Sequence, residues 1–318
     1  MRTAFWLAAL FLALLGAGPA RASACNVAAD QGGSRGIYRT DPVPAGEAML
    51  TFDDGPLATA TPRVLDMLAE HRMKAAFFVV GRNISRSTYR AVQRMVAEGH
   101  TVGSHCYTHD VHMTRVSSPE ETVRTIRSQH EVTAVLIDLA LLAASGDDFD
   151  VLYRRVLESE PGHWMSATRL RRDVDDILQR HRALLLERGF GAGRRPYPVV
   201  YARPPGGGPY EERGARAGVA LYDAALEQLR MINVMWHGGA GDTDPQHGHD
   251  PGFLTSNLGL HARRGGVLLV HDEILPEALA ASLRRIAADP TIRVVTLDDA
   301  IRRKYGCQPR ELATSPAH

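Results

Sequence analysis

The stretch Ala48-Met49-Leu50-Thr51-Phe52-Asp53-Asp54-Gly55-Pro56 runs from an apolar segment into two adjacent carboxylates and a turn. Residues 48–52 are almost continuously apolar, the pattern of a strand buried on both faces of a parallel sheet. Asp53 and Asp54 stand at its C-terminal end. Neighbouring carboxylates repel each other and are costly unless a cation or hydrogen bonds stabilise them. Gly55-Pro56 then turns the chain away and leaves them uncovered. Taken alone, the stretch reads equally well as a solvated turn.

Working outward, similar apolar runs recur at 75–80, 101–103, 199–202, 231–235, 266–270 and 292–296. Segments of helical period separate most of them, at 61–70, 89–97, 213–229, 253–261 and 276–287. Strand alternating with helix indicates βαβ units and an α/β fold. Seven such strands suggest a barrel or barrel-like closure, with an open sheet as the alternative. The rhythm breaks between 120 and 188, where 132–144, 149–157 and 165–187 read as successive helices. This helical insertion (120–190) is either a wall or lid beside a groove or simply an enlarged crossover.

The ends of the 318-residue chain read differently. Arg2, the short apolar run 5–15 and Ala22-Ser23-Ala24 form a signal-peptide pattern over 1–24. That run is too short for a membrane span. Residues 25–46 read as a surface arm, 47–308 as one domain and 309–318 as a tail. The chain has 37 basic and 36 acidic residues, and loss of 1–24 leaves 35 basic. With no basic stripe to neutralise phosphates, no nucleic-acid partner is expected. An exported chain is expected to be secreted or periplasmic. Cys25 and Cys307 either pair in an oxidising compartment or leave Cys25 for lipid anchoring.

Three further strand ends carry chemistry. In Ser104-His105-Cys106-Tyr107-Thr108-His109, the two histidines are spaced to share one side of a helical turn. Two histidines plus one carboxylate, with a position left for water, make a catalytic zinc-type ligand set. Joined to Asp53-Asp54, the metal reading prevails over a structural one. Cys106 is expected to be a buried thiol turned from the metal. After 266–270, His271 reads either as a general acid or as a strand-end histidine bonded to Asp272. In Arg203-Pro204-Pro205-Gly206-Gly207, the arginine suits a carboxylate and the backbone N–H groups suit an oxyanion, although in isolation a plain turn with a solvated arginine is the commoner case.

Together these residues resemble the polysaccharide deacetylase family, also called the NodB-homology or carbohydrate esterase family 4. TFDDGP (51–56), SHxxxH (104–109), RPPGG (203–207) and LVH (269–271) resemble its first, second, third and fifth motifs, in order. The resemblance implies a distorted (β/α)7 barrel. It implies Asp53 as general base, and Asp54, His105 and His109 as ligands of one divalent metal, with Zn2+ as default and Co2+, Ni2+ or Mn2+ as substitutes. It also implies that Arg203 holds Asp53, that Gly206 N–H helps bind the oxyanion, that Leu269 lines an acetyl-methyl pocket and that His271 is the acid.

Two departures stand out. Gly206 occupies a position where the family usually has Tyr. The fourth motif, normally an Asp-Trp pair, is replaced by the segment from Trp236 to Asp244. There Asp242 is expected to tune His271, with Asp244 as alternative, and Trp236 to face substrate. His247 and His249 read as surface residues. The implied activity is removal of N-acetyl groups from an exported or cell-wall polysaccharide of peptidoglycan or chitin type. The alternatives are an O-acetyl esterase on xylan or another acetylated glycan, and a catalytically weak glycan-binding homologue.

Overall fold

The computed structural model describes residues 25–27, 35–115, 118–191 and 193–315. The signal-peptide expectation (1–24) lies outside them. Among the described residues nine parallel strands form one curled sheet: β1 (Gly36–Ile37), β2 (Glu47–Asp53), β3 (Ala75–Val79), β4 (Thr101–Ser104), β5 (Tyr201–Ala202), β6 (Ile232–Val234), β7 (Gly238–Gly239), β8 (Gly266–His271) and β9 (Arg293–Val294). Their order is β1-β6-β5-β4-β3-β2-β8-β7, and β9 pairs with β2 at Glu47 and Ala48, before the β2–β3 pairing begins at Leu50.

The last three residues before β7 close the curl. β6 and β7 belong to opposite flanks of the sheet, yet only 235–237 separate them. Met235 N–H donates to Ile37 O (2.8 Å) on one side, and His237 N–H donates to Val267 O (2.9 Å) on the other. The sheet is thereby drawn into the barrel-like α/β architecture expected from the sequence.

Ten α-helices among the described residues accompany it: α1 (Ala60–Glu70), α2 (Tyr89–Ala97), α3 (Pro119–Leu142), α4 (Gly146–Leu157), α5 (Ala167–Glu187), α6 (Arg216–Leu229), α7 (Pro251–Arg264), α8 (Pro276–Ala288), α9 (Leu297–Tyr305) and α10 (Pro309–Thr314). Among the described residues none is long and apolar enough to cross a membrane. The two-residue alternation of β2 divides the core. Ala48, Leu50 and Phe52 pack with the surrounding helices, while Met49 faces inward with Phe78, Tyr201, Val234 and Val267. Leu297, Ile301 and Tyr305 of α9 and Leu312 of α10 belong to that inner cluster, opposite the strand ends that carry the motifs.

Several boundaries differ from the sequence reading. The arm 25–46 is not wholly surface: Gly36 and Ile37 are buried as β1, and the Tyr305 hydroxyl accepts Gly36 N–H (2.8 Å). No apolar run announces two residues held in this way. The tail likewise contains α10, with Leu312 and Ala313 buried. Cys25 is bonded to Cys307, with Cα atoms 5.2 Å apart, which occupies the sulfur that a lipid anchor would use.

The insertion is three helices, each begun by a serine whose hydroxyl accepts a first-turn N–H: Ser118 from Glu121, Ser145 from Asp148 and Ser166 from Arg169. Its first helix, α3, starts earlier than 132 and is deeply buried, packing against α2, α5, α6 and β4. It is therefore the crossover helix itself, and α4 and α5 are added outside it.

Candidate active site

The motifs meet because parallel strands in register present their C-terminal ends together. Asp53 pairs with Phe78 of β3 and His271 of β8, Val79 pairs with Ser104, and Ser104 pairs with Ala202. Asp53, Asp54, His105, Arg203 and His271 thus emerge from neighbouring strands at one end of the sheet.

Asp54, His105 and His109 each offer a ligand atom, and the three atoms lie within 4.8 Å of one another. His109 Nε2 is 3.0 Å and His105 Nε2 3.5 Å from Asp54 Oδ1. The histidines do not converge on a helical turn as their spacing suggested. Residues 105–110 are irregular, and left-handed backbone at Cys106 (φ 65°) and His109 (φ 58°) folds the segment so that both rings face Asp54. Asp54 is itself left-handed (φ 71°), with its carbonyl accepting from Asn83 Nδ2 (2.7 Å). Non-glycine residues in that region are held by their surroundings, often at functional sites.

These groups suit a divalent cation. His105 is buried and its Nδ1 lies 2.9 Å from Arg203 O, which fixes the proton on Nδ1 and leaves Nε2 as a lone pair. Burial, opposed by the charges of Asp53 and Asp54, pushes its pKa down and favours the neutral ligand form. Asp54 Oδ1 is buried without an aligned hydrogen-bond donor. Burial works against the Asp54 charge, but His109, His105 and His271 outweigh it and hold the carboxyl at about 2.

Asp53 lies beside this group, 2% exposed. Its Oδ1 accepts from Arg203 Nη1 (2.7 Å), while Oδ2 is 3.6 Å from His105 Nε2 and so faces the metal side. Arg203 is fully buried and also donates to Val234 O and Thr51 Oγ1, both at 2.8 Å. Its guanidinium stacks 4.1 Å from the Phe78 ring centroid, with Trp236 farther off at 5.8 Å. Three elements hold it in place.

His271 is half-buried at the end of β8. Asp242 Oδ2 accepts its backbone N–H (2.7 Å), and Oδ1 lies 3.3 Å from Nδ1. Burial opposes the imidazolium, but Asp242, aided by Asp53 and Asp54, raises the pKa to about 9. Asp242, rather than Asp244 or Asp272, is the partner. Asp244 is spent on the turn at Gln246 and His247. Asp272 points away into the protein, where Thr61 donates to it. Burial first, then the Asp53 and Asp54 charges, raise the Asp272 carboxyl to about 7. A Cβ on Gly55 would fall 2.3 Å from Asp272, so this turn requires glycine. Beyond Asp272 a pocket of about 380 Å³ opens between Leu57, Thr59, Met67 and Ile274.

Leu269 is partly exposed on β8 and pairs with Thr51 and Gly239. Gly206 is exposed and left-handed (φ 59°), beside Val111. His247 and His249 are exposed.

Sequence reasoning missed the support behind the histidine segment. Gln129 of α3 accepts the N–H groups of Tyr107 and Thr108 (both 2.9 Å) and donates to Thr108 Oγ1 (2.9 Å). Its neighbour His130 bridges Ser104 Oγ and Tyr222 OH, both at 2.8 Å, with Cys106 Sγ 3.4 Å away. Burial lowers the His130 pKa to about 3 and raises that of the Cys106 thiol. A Gln-His pair inside an amphipathic helix was the available signal.

Residues 40–141 match the family profile described as polysaccharide deacetylase. A chitooligosaccharide deacetylase of Sinorhizobium fredii is 41% identical over 26% of this chain and 46% of its own length. A peptidoglycan-N-acetylglucosamine deacetylase of Bacillus cereus is 39% identical over 26% of this chain and 30% of its own. The chain thus spans less than half the length of these relatives. Among solved structures, the peptidoglycan deacetylase PdaC of Bacillus subtilis is similar at TM-score 0.51 and 20% identity, over 84% of this chain and 93% of that one. A CE4 family pseudoenzyme of Bacillus anthracis is similar at TM-score 0.52 and 18% identity, over 81% and 66%. Residues 40–141 thus match the polysaccharide deacetylase profile, within a chain whose fold is similar to that of these solved structures.

Proposed function

We propose that the chain is an exported, metal-dependent deacetylase that removes N-acetyl groups from a peptidoglycan- or chitin-like polysaccharide. The observation that carries this is the convergence of Asp53 with Arg203, and of His271 with Asp242, on the Asp54–His105–His109 group at one end of the sheet. The first relatives bear names of deacetylases acting on chitooligosaccharide and peptidoglycan. The disulfide supports export, since such bonds persist in oxidising compartments.

A divalent cation held by Asp54, His105 and His109, with zinc the natural occupant of this donor set, supplies polarisation of the acetyl carbonyl and acidification of water. Asp53 takes the proton of the attacking water on Oδ2, because Arg203 occupies Oδ1. Arg203 keeps the base in one orientation through three further anchors on different strands. An amine leaves poorly until protonated, and His271, charged below about 9, delivers that proton to the nitrogen. The carbon–nitrogen bond breaks, giving acetate and a free amine. Leu269 gives the acetyl methyl an apolar neighbour, and Gly206 N–H is assigned to the developing oxyanion.

The test is acetate release by metal-loaded protein from N-acetylated glycan fragments and from acetylated xylan, with Asp53→Asn as control. Release from the N-acetyl substrates that is lost in the variant upholds the reading. Release from xylan alone moves the assignment to an O-acetyl esterase. Binding of glycan without release from either leaves the weak glycan-binding homologue.

A further inference from the structure

The loop between α4 and α5 presents Trp164 to solvent. At 73% it is the most exposed of the large apolar side chains described. Its ring is nevertheless held in place. Met165, the next residue, is buried and donates its backbone N–H to Tyr107 OH (3.4 Å). The Arg82 guanidinium covers one face, 4.4 Å from the ring centroid. Most of the side chain remains in contact with solvent.

The platform hangs on the two segments that shape the metal group. Arg82 N–H donates to Tyr107 O (3.1 Å), and Tyr107 lies between His105 and His109. Asn83, beside Arg82, holds the carbonyl of Asp54. Trp164 is thus tied through Arg82 and Tyr107 to the two segments that carry Asp54, His105 and His109, on the part of the chain added outside the crossover helix.

We propose that Trp164 and Arg82 form a subsite for a pyranose ring of the glycan, one or more units away from the sugar that loses its acetyl group. This rests on the deacetylase reading. The face of an aromatic ring is electron-rich and attracts the polarised C–H groups that line one side of a sugar, and a tryptophan already fixed by stacking loses little freedom on binding. Among the described residues the Arg82 side chain has no carboxylate partner, so its N–H edge is available to a hydroxyl or acetamido oxygen of the same sugar. The insertion thereby contributes a wall of the groove and makes a chain of several units, rather than a single sugar, the preferred substrate.

The experiment compares N-acetylglucosamine dimer and pentamer as substrates of the wild type, Trp164→Ala and Trp164→Phe. In parallel, calorimetry follows pentamer binding to Asp53→Asn with and without Trp164→Ala. The alanine variant is expected to lower kcat/KM on the pentamer about tenfold, mainly through KM, and to affect the dimer severalfold less. Phenylalanine restores most of the loss, and the pentamer Kd weakens by a similar factor. Equal losses on both lengths, or none, overturn the subsite. If the wild type releases no acetate from either length, the deacetylase reading fails. The calorimetry still decides the subsite: binding weakened by Trp164→Ala upholds it, while unchanged or absent binding overturns it.

Discussion

Asp53 and His271 are register partners on the adjacent parallel strands β2 and β8. Parallel neighbours at one register leave the sheet at the same end. The two groups assigned to move protons therefore lie side by side at a separation governed by the spacing of strands, about 4.8 Å between backbones. Each then has its own keeper: Arg203 for Asp53 and Asp242 for His271. The two groups are thus held from different sides, although the Asp53 charge also helps raise His271.

Asp242→Asn removes the anion that raises His271 while leaving the burial that lowers it. A group acting as acid is lost as pH rises through its pKa. The alkaline limb of the kcat profile is therefore expected to move to lower pH by about one unit or more. A bound cation lowers the imidazolium pKa in both proteins, so the difference between profiles is the quantity to read. An unmoved limb would take the role from His271.

Arg203→Met leaves the Asp53 carboxylate buried without its partner. Breaking a buried pair in this way costs on the order of 3–5 kcal/mol, to be read as a lower urea midpoint at pH 7. Arg203→Lys keeps the charge but loses the planar fork that reaches Asp53, Thr51 and Val234 together, so activity is expected to fall well before stability does.

Gln129→Ala unties the Tyr107 and Thr108 N–H groups without touching a ligand. Metal affinity, measured by competition with a chelator, is expected to fall about 10–100-fold, with activity largely regained at saturating metal. Gln129→Glu keeps the accepting oxygen and should recover part of the affinity. Equal affinities in all three proteins would show that the histidine segment holds its own shape.

Joint replacement of Cys25 and Cys307 by serine frees a loop spanning 282 positions. The expected loss is about 2–5 kcal/mol, seen as a lower Tm, and reductant should lower the wild-type Tm similarly while leaving the variant unchanged.

The barrel and the motif residues were legible because each depends on a run or a spacing, apolar strands ending in carboxylate, imidazole or guanidinium, whereas Asp242 as the partner of His271 was expected only through the resemblance. What was not legible lacks such a pattern. Gly36–Ile37 and Gly238–Gly239 are strands only because neighbouring strands need partners there. The histidines converge through left-handed residues rather than a helical turn, a choice made by Gln129 and His130 from a distant helix. The platform at Trp164 depends on Arg82, which is remote in the chain.

Ser104 and Ala202 are sheet neighbours although three helices separate them in the chain. The site is therefore divided between two pieces of sequence. The three side chains assigned to the cation, and Asp53, precede the insertion, whereas Arg203 and His271 follow it. Gly189, Gly191 and Gly193 lie exposed after α5, at a place where a backbone cut touches no strand. Cleaved there and reduced at the Cys25–Cys307 bond that would otherwise tether the pieces, the molecule would become two fragments: one carrying the residues assigned to the cation but not the assigned acid, the other carrying the acid without them. Chemistry would then report reassembly of the halves, making the chain a natural scaffold for fragment complementation.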